Sequence, residues 1–203
     1  MRKDILSSAI GMLVLTLLCG IAYPLVVTGI SQVAFHGNAN GQQVFVNGRL
    51  VGSKIIGQAF TNTKGNPLPQ YFQTRPSGTD PADNDAGTEF ANYGPNSTIT
   101  EKAIAANIKQ YISLNGPYYP GGLTAADVPV DAADTSASGV DPDISVLNAD
   151  IQAYRVAKVR HLSLATVHGL ISKYTNGRGL GFSGEPGVDV LEVNLALNQL
   201  SKR

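Results

Sequence analysis

The sequence predicts a small mixed α+β domain carried on a single N-terminal transmembrane helix. Three observations support that expectation. Residues 10–30 form an apolar run without a charge, Asn47-Gly48 lies between two short β-prone stretches, and beyond residue 97 three helix-periodic stretches each follow a capping residue and precede an alternating apolar run. Periodicities of 3.6 and 2 in one short chain, with no repeat, imply helices packed on a small sheet.

The apolar run reads IGMLVLTLLCGIAYPLVVTGI. It has the roughly 20 residues that cross about 30 Å of hydrocarbon at 1.5 Å per residue. No Lys, Arg, Asp or Glu occurs between Ile5 and Gly48, whereas Arg2 and Lys3 precede the run and Arg49 is the first cation after it. Cations concentrate on the cytoplasmic side of a span, so the N-terminus is expected in the cytoplasm and the rest outside. The expected layout is a cytoplasmic N-terminus at 1–9, a helix at 10–33, a linker at 34–43 and an extracytoplasmic domain at 44–203. The run exceeds the 7 to 15 residues of a signal peptide's apolar region. Leu18 before Cys19 is too bulky for a lipoprotein cleavage site.

Thr16, Gly20, Pro24 and Thr28 recur every four residues, which puts them on one helical stripe where a partner helix could pack closely. Gly, Thr and Pro are also common in membrane helices generally, and both readings stay open. Pro24 is expected to bend the helix near its outer end.

In the domain, residues 43–53 read as a hairpin, because Asn47 and Gly48 both tolerate positive φ. Residues 55–60 and Tyr71-Phe72 could add short strands or turns, and 75–97 read as irregular. Thr98-x-x-Glu101 has capping-box spacing, with Ile104, Ile108, Tyr111 and Ile112 following at helical intervals. Asp141-Pro142 is expected to open a second helix, with Ile144, Leu147, Ile151 and Tyr154 as its buried stripe. Ser163 caps a third, facing the core with Val167, Leu170, Ile171 and Tyr174 until Asn176-Gly177. Residues 188–194 alternate as a strand.

Composition excludes some chemistry. Fifteen Lys+Arg balance fifteen Asp+Glu without a basic block, so binding nucleic acid through phosphates is not expected. One cysteine forms neither an intramolecular disulfide nor a zinc cluster, and His36, His161 and His168 lack metal-ligand spacing. The glycines of residues 177–181 suit turns better than a phosphate loop, since no GK[ST] follows. Asp131, Asp134, Asp141 and Asp143 lack calcium-loop spacing and read as a solvated loop and a helix cap. Arg155, Lys158 and Arg160 read as a modest positive face, and no catalytic or metal-binding residue is assigned.

Several blocks then occur together: Tyr23-Pro24-Leu25 in the anchor, residues 52–60 (GSKIIGQAF), 71–77 (YFQTRPS), 136–142 (SASGVDP), Gln152 with Arg155-Val156-Ala157, and Gly184-Glu185-Pro186 with Val190-Leu191 and Leu195-Ala196-Leu197. In that order they resemble the KdpC family, the small subunit of the high-affinity potassium-transporting P-type ATPase. The resemblance implies an accessory, non-catalytic subunit in the cell membrane, the inner membrane of a Gram-negative bacterium. Its implied partners are a potassium-pore subunit, an ATP-hydrolysing subunit and lipid. Potassium is the ion implied to be transported, and ATP enters through the partner subunit, whose affinity for it the family is described as raising. By the same resemblance Arg75, Asn92 and Gly94 are the candidate nucleotide contacts. Thr88-Glu89-Phe90-Ala91 replaces the family's Ser-Gly-Gly-Ser stretch, whereas Asn92, Gly94 and Pro95 persist. The alternative is a free-standing membrane-anchored extracytoplasmic enzyme or ligand-binding module.

Overall fold

The computed structural model describes residues 2–79, 82–84, 87, 92–94 and 96–200. The chain divides into two compact units, residues 1–51 and 52–203.

In the first unit, α1 (Arg2–Leu17) runs through a π-helical turn at Leu18–Ala22 into α2 (Tyr23–Ala34). The helical run Arg2–Ala34 has 33 residues and is long and apolar enough to cross a membrane. At 1.5 Å per residue it is about 50 Å long, so the apolar span occupies only part of it. Pro24 has no N–H for the Gly20 carbonyl, and its ring would press on that group. The wider turn absorbs the conflict: the Tyr23 N–H bonds to the Leu18 carbonyl, five residues back.

The expected linker is ordered. His36–Ala39 forms a single turn, α3, and the Asn40 amide donates to the His36 carbonyl (2.7 Å) and to Gln32 Oε1 (3.1 Å). β1 (Gln43–Val46) and β2 (Arg49–Ser53) form the expected hairpin, with φ of 52° at Asn47 and 76° at Gly48.

In the second unit, residues 54–97 contain no named helix or strand among those described. A bridge between Thr61 and Pro67 closes a loop around Asn62, whose side chain accepts from Lys64 N and Asn66 N. Helix α4 (Thr98–Asn115) starts one residue earlier than the capping box suggested, because Ser97 Oγ accepts from Ile99 N and Thr100 N. A single turn, α5 (Val130–Ala133), precedes β3 (Asp143–Ser145) and α6 (Val146–Arg160). α7 (Leu164–Lys173) keeps its Ser163 cap, and β4 (Thr175–Asn176), β5 (Gly187–Asp189) and α8 (Val190–Leu200) complete the domain.

Two boundaries differ from expectation for physical reasons. Asp141 does not cap α6. Its Oδ1 accepts from Asp143 N, the chain continues as β3, and the cap is Ser145, itself held by Asp131. The alternating run 188–194 is a strand only through Asp189. There Asp189 Oδ1 accepts from Glu192 N (2.7 Å), starting a helix that buries Val190, Leu191, Val193, Asn194, Ala196 and Leu197 on one side.

The sheet is antiparallel in the order β3-β5-β4, and Ile144 lies opposite Val188, both inside the core. α6, α7 and α8 cover this sheet with Ala149, Ala153, Val156, Val167, Ile171, Val193 and Leu197. A smaller cluster of Tyr111, Ala132 and Ile151 joins α4 and α5 to α6. Leu147, expected in the buried stripe, is exposed, and Arg155, expected on a solvated positive face, is fully buried.

Candidate functional site

Residues 69–73 belong to no strand, yet most of their backbone groups are paired. The Tyr71 N–H bonds to the Leu68 carbonyl, and most of the other partners are side chains from α6 and α8. Arg155 donates through Nη1 to the carbonyls of Pro69 and Tyr71 (2.8 Å to Tyr71), and Arg160 Nε donates to the Gln70 carbonyl at 2.6 Å. Asn194 accepts from Phe72 N and donates to Phe72 O, both at 2.9 Å. Gln152 does the same for Gln73, at 2.8 and 3.1 Å. Two carboxamides thus reproduce the paired donor and acceptor that a neighbouring strand would offer.

Arg155 holds this clamp without a carboxylate. Its other partners are Asn115 Oδ1 and Gln152 Oε1, at 2.9 and 2.8 Å. Burial pulls its pKa down to about 10, so the guanidinium remains charged at neutral pH, solvated by four oxygen acceptors that carry no formal charge. The network continues from Gln152 to Asn148, and from Asn148 to the Tyr111 hydroxyl and the Asp131 carboxylate. Burial, reinforced by Asp131, pushes the Tyr111 phenol far above its ordinary range, so it serves as a hydrogen-bond donor rather than a base.

The clamp delivers the next residues to a cleft of about 360 Å³. Gln73, Arg75, Ser77, Asn107, Tyr111 and Thr135 are among the residues lining it. Arg75 donates to the Thr135 carbonyl (2.9 Å) and lies 3.5 Å from Asp141 Oδ2. Its Nε is buried and meets no partner among the described residues. From the lining, Thr74 donates to Asp83 Oδ2, and Ser77 donates to the Gly139 carbonyl and accepts from the Asp83 N–H. Burial raises the Asp83 carboxyl above its ordinary value against these hydrogen bonds.

Among the described residues the lining contains no His, Cys, Lys, Asp or Glu. Amides, hydroxyls and one guanidinium can recognise an acceptor-rich group, but they supply no general base at neutral pH. Among the described residues, no three His, Cys, Asp or Glu side chains are placed to hold a metal ion.

The structure distributes the sequence candidates unevenly. Arg75 lies in the cleft wall, whereas Asn92 and Gly94 are exposed and share no hydrogen bond or ion pair with it among the described residues. Thr88, Glu89, Phe90, Ala91 and Pro95 lie outside the described residues. On the long helix, Thr16 and Gly20 line a shallow groove with Ser8, Gly11, Met12, Leu15 and Cys19, and Pro24 and Thr28 lie beyond the π-helical turn and outside that lining. Asn115, Asn148 and Asn194 were not singled out from sequence. The available signal was spacing: Asn148, Gln152 and Arg155 recur at helical intervals on α6, on a side where Ile151 is also buried.

Fold and site define a class first. It comprises a domain with a cleft of mixed apolar and polar lining and no assembled catalytic set, joined to one helix long and apolar enough to cross a membrane, all among the described residues. The family described as KdpC, K+-transporting ATPase, c chain, matches residues 5–199. The chain is 42% identical over 202 residues to the potassium-transporting ATPase KdpC subunit of Koribacter versatilis, covering 98% of this chain and 95% of that protein. It is 42% identical over 200 residues to the protein of the same name from Mycobacterium tuberculosis, covering 98% of this chain and 100% of that one. With the one from Methylococcus capsulatus the identity is 43% over 189 residues, covering 93% and 94% of the two chains. The chain belongs to the KdpC family.

Proposed function

We propose that this chain is the accessory, non-catalytic subunit of an ATP-driven potassium uptake complex. The observation behind this reading is the match along nearly the whole chain to proteins named as the KdpC subunit of a potassium-transporting ATPase. A cleft lined by apolar side chains, amides, hydroxyls and one guanidinium, without a titrating base among the described residues, supports a binding role. Potassium is the ion carried by the complex, and ATP reaches it through the ATP-hydrolysing partner.

In this reading Arg2 and Lys3 stay in the cytoplasm, and the helix packs on a membrane partner through the stripe of Thr16, Gly20, Pro24 and Thr28. The folded domain lies outside and covers or shapes the potassium entrance of the pore subunit. The chain supports assembly of pore and pump, and it raises the pump's affinity for ATP as a catalytic chaperone. Arg75, Asn92 and Gly94 are the residues through which a direct nucleotide contact would run.

Purification in mild detergent tests the assignment: the chain should come with a pore subunit and a P-type ATPase. Isolation alone would favour the free-standing enzyme or binding module instead. Protease added to sealed, right-side-out cells should digest the folded domain; protection there, with digestion from the cytosolic side, would reverse the orientation. Omitting the chain from the assembled complex should raise the KM for ATP, and an unchanged KM would remove the chaperone role.

A further inference from the structure

Away from the cleft, two aspartates occupy opposed positions on adjacent strands of the sheet. Asp143 on β3 lies opposite Asp189 on β5, so both side chains leave the same face. Asp189 is only 2% exposed, and Asp143 Oδ1 is buried with no partner among the described residues. The strands fit tightly here: a Cβ on Gly187 would lie 2.9 Å from Asp143 Oδ2. Asp189 also caps α8 through the Glu192 N–H. That helix carries Asn194, which holds both backbone groups of Phe72, and the Leu197 carbonyl and Asn198 side chain that Arg160 binds.

Charged and titratable groups close in from every neighbouring element. Asp141 precedes β3, Asn176 reaches Asp143 from β4, Tyr174 ends α7, and Glu192 on α8 pairs with Lys54 at 2.5 Å. Among the described residues Lys54 is the cation acting on Asp189, and Glu192 already engages it. Like charges directly opposite on paired strands are destabilising, and burial adds the cost of removing them from water.

We propose that Asp143 and Asp189 form a proton-operated latch that seats α8, and with it the Phe72 end of the clamp, more firmly in acidic than in neutral medium. The latch would regulate the cleft of the proposed accessory subunit. It relies on that reading only for the identity of the compartment that supplies the protons. Burial pushes the Asp189 carboxyl up to about 6 against its capping hydrogen bond and Lys54, and it raises Asp143 as well, with Asp141 adding to the effect. A carboxyl raised in the folded state contributes stability that is complete below the unfolded value near 4 and lost as pH rises through about 6.

The test is a titration of the full chain in detergent micelles, which does not depend on sidedness. Carbon-13 NMR of the Asp189 carboxyl should give a midpoint near 6. A midpoint in the ordinary aspartate range, about 4, would overturn the latch. Thermal unfolding should occur roughly 2–5 °C higher at pH 5 than at pH 7.5, and Asp189→Asn, which keeps a capping oxygen, should remove most of that difference. An unchanged pH slope in Asp189→Asn would also overturn it. If that variant does not fold, Asp143→Asn supplies the second reading: the Asp189 midpoint should drop measurably, and an unmoved midpoint counts against the pair. Exchange of the Phe72 amide, corrected for intrinsic rate, should be slower at pH 5; equal protection at both pH values would separate the clamp from the latch.

Discussion

The N-terminal helix and α6 share a secondary structure and differ in everything that stabilises it. Residues 5–34 carry no charge, and α1 and α2 bury none of their residues within the chain. α6 carries Asn148, Gln152 and Arg155 and buries all three. Apolarity in the first region matches a solvent of hydrocarbon, where the backbone is satisfied internally and side chains need no partners. Burial in the second is tolerated because each polar group finds a partner: Asn148 with Asp131 and Tyr111, Gln152 with Gln73, Arg155 with four oxygens. Deep burial in this domain therefore follows hydrogen-bond completeness as much as side-chain hydropathy.

That contrast breaks first at Arg155. Arg155→Met should destabilise the domain by about 3–5 kcal/mol in chemical denaturation, because the carbonyls of Pro69 and Tyr71 lose a buried donor. A loss below about 1 kcal/mol would mean that the clamp is incidental. The complementary change is Leu13→Arg, which should oppose membrane insertion by about 3 kcal/mol, read as the inserted fraction, while the domain's unfolding midpoint stays put. Asn194→Ala should cost about 2–3 kcal/mol by stranding both backbone groups of Phe72. Asn194→Asp should recover none of this at neutral pH, since the buried carboxylate still accepts from the Phe72 N–H but has no proton to donate to the Phe72 carbonyl. Ser145→Ala should cost about 1 kcal/mol in the same denaturation assay, through loss of the α6 cap. Leu180→Asn should change stability by no more than about 0.5 kcal/mol, because Leu180 is 90% exposed and its φ of 52° suits Asn.

Local chemistry was legible where one or two residues decide the outcome. Asn47-Gly48 made the hairpin and Ser163 capped α7, since each motif satisfies its backbone requirement within a few residues. Reading failed where the deciding partner is remote in sequence. Asp141-Pro142 resembles a helix start as much as Ser145 does, but Ser145 is selected by Asp131, fourteen positions earlier. Residues 188–194 alternate, yet a cap at Asp189 and burial of Asn194 against Phe72 turn the second half into helix. Arg75, named from the sequence through resemblance, lies in the cleft wall, but nothing local marked the cleft itself or residues 69–73 as a segment held largely by side chains instead of a strand.

The sequence by itself determined the membrane-competent helix, the hairpin and an α+β domain, because length, charge distribution and short-range backbone preference suffice for them. Only the tertiary structure decided that Arg155 is a buried clamp rather than a solvated charge, that α8 replaces a strand, and that Asp143 faces Asp189. Each of these depends on groups tens of residues apart meeting where water is excluded, and there the energy of a polar side chain is set by its neighbours rather than by its own type.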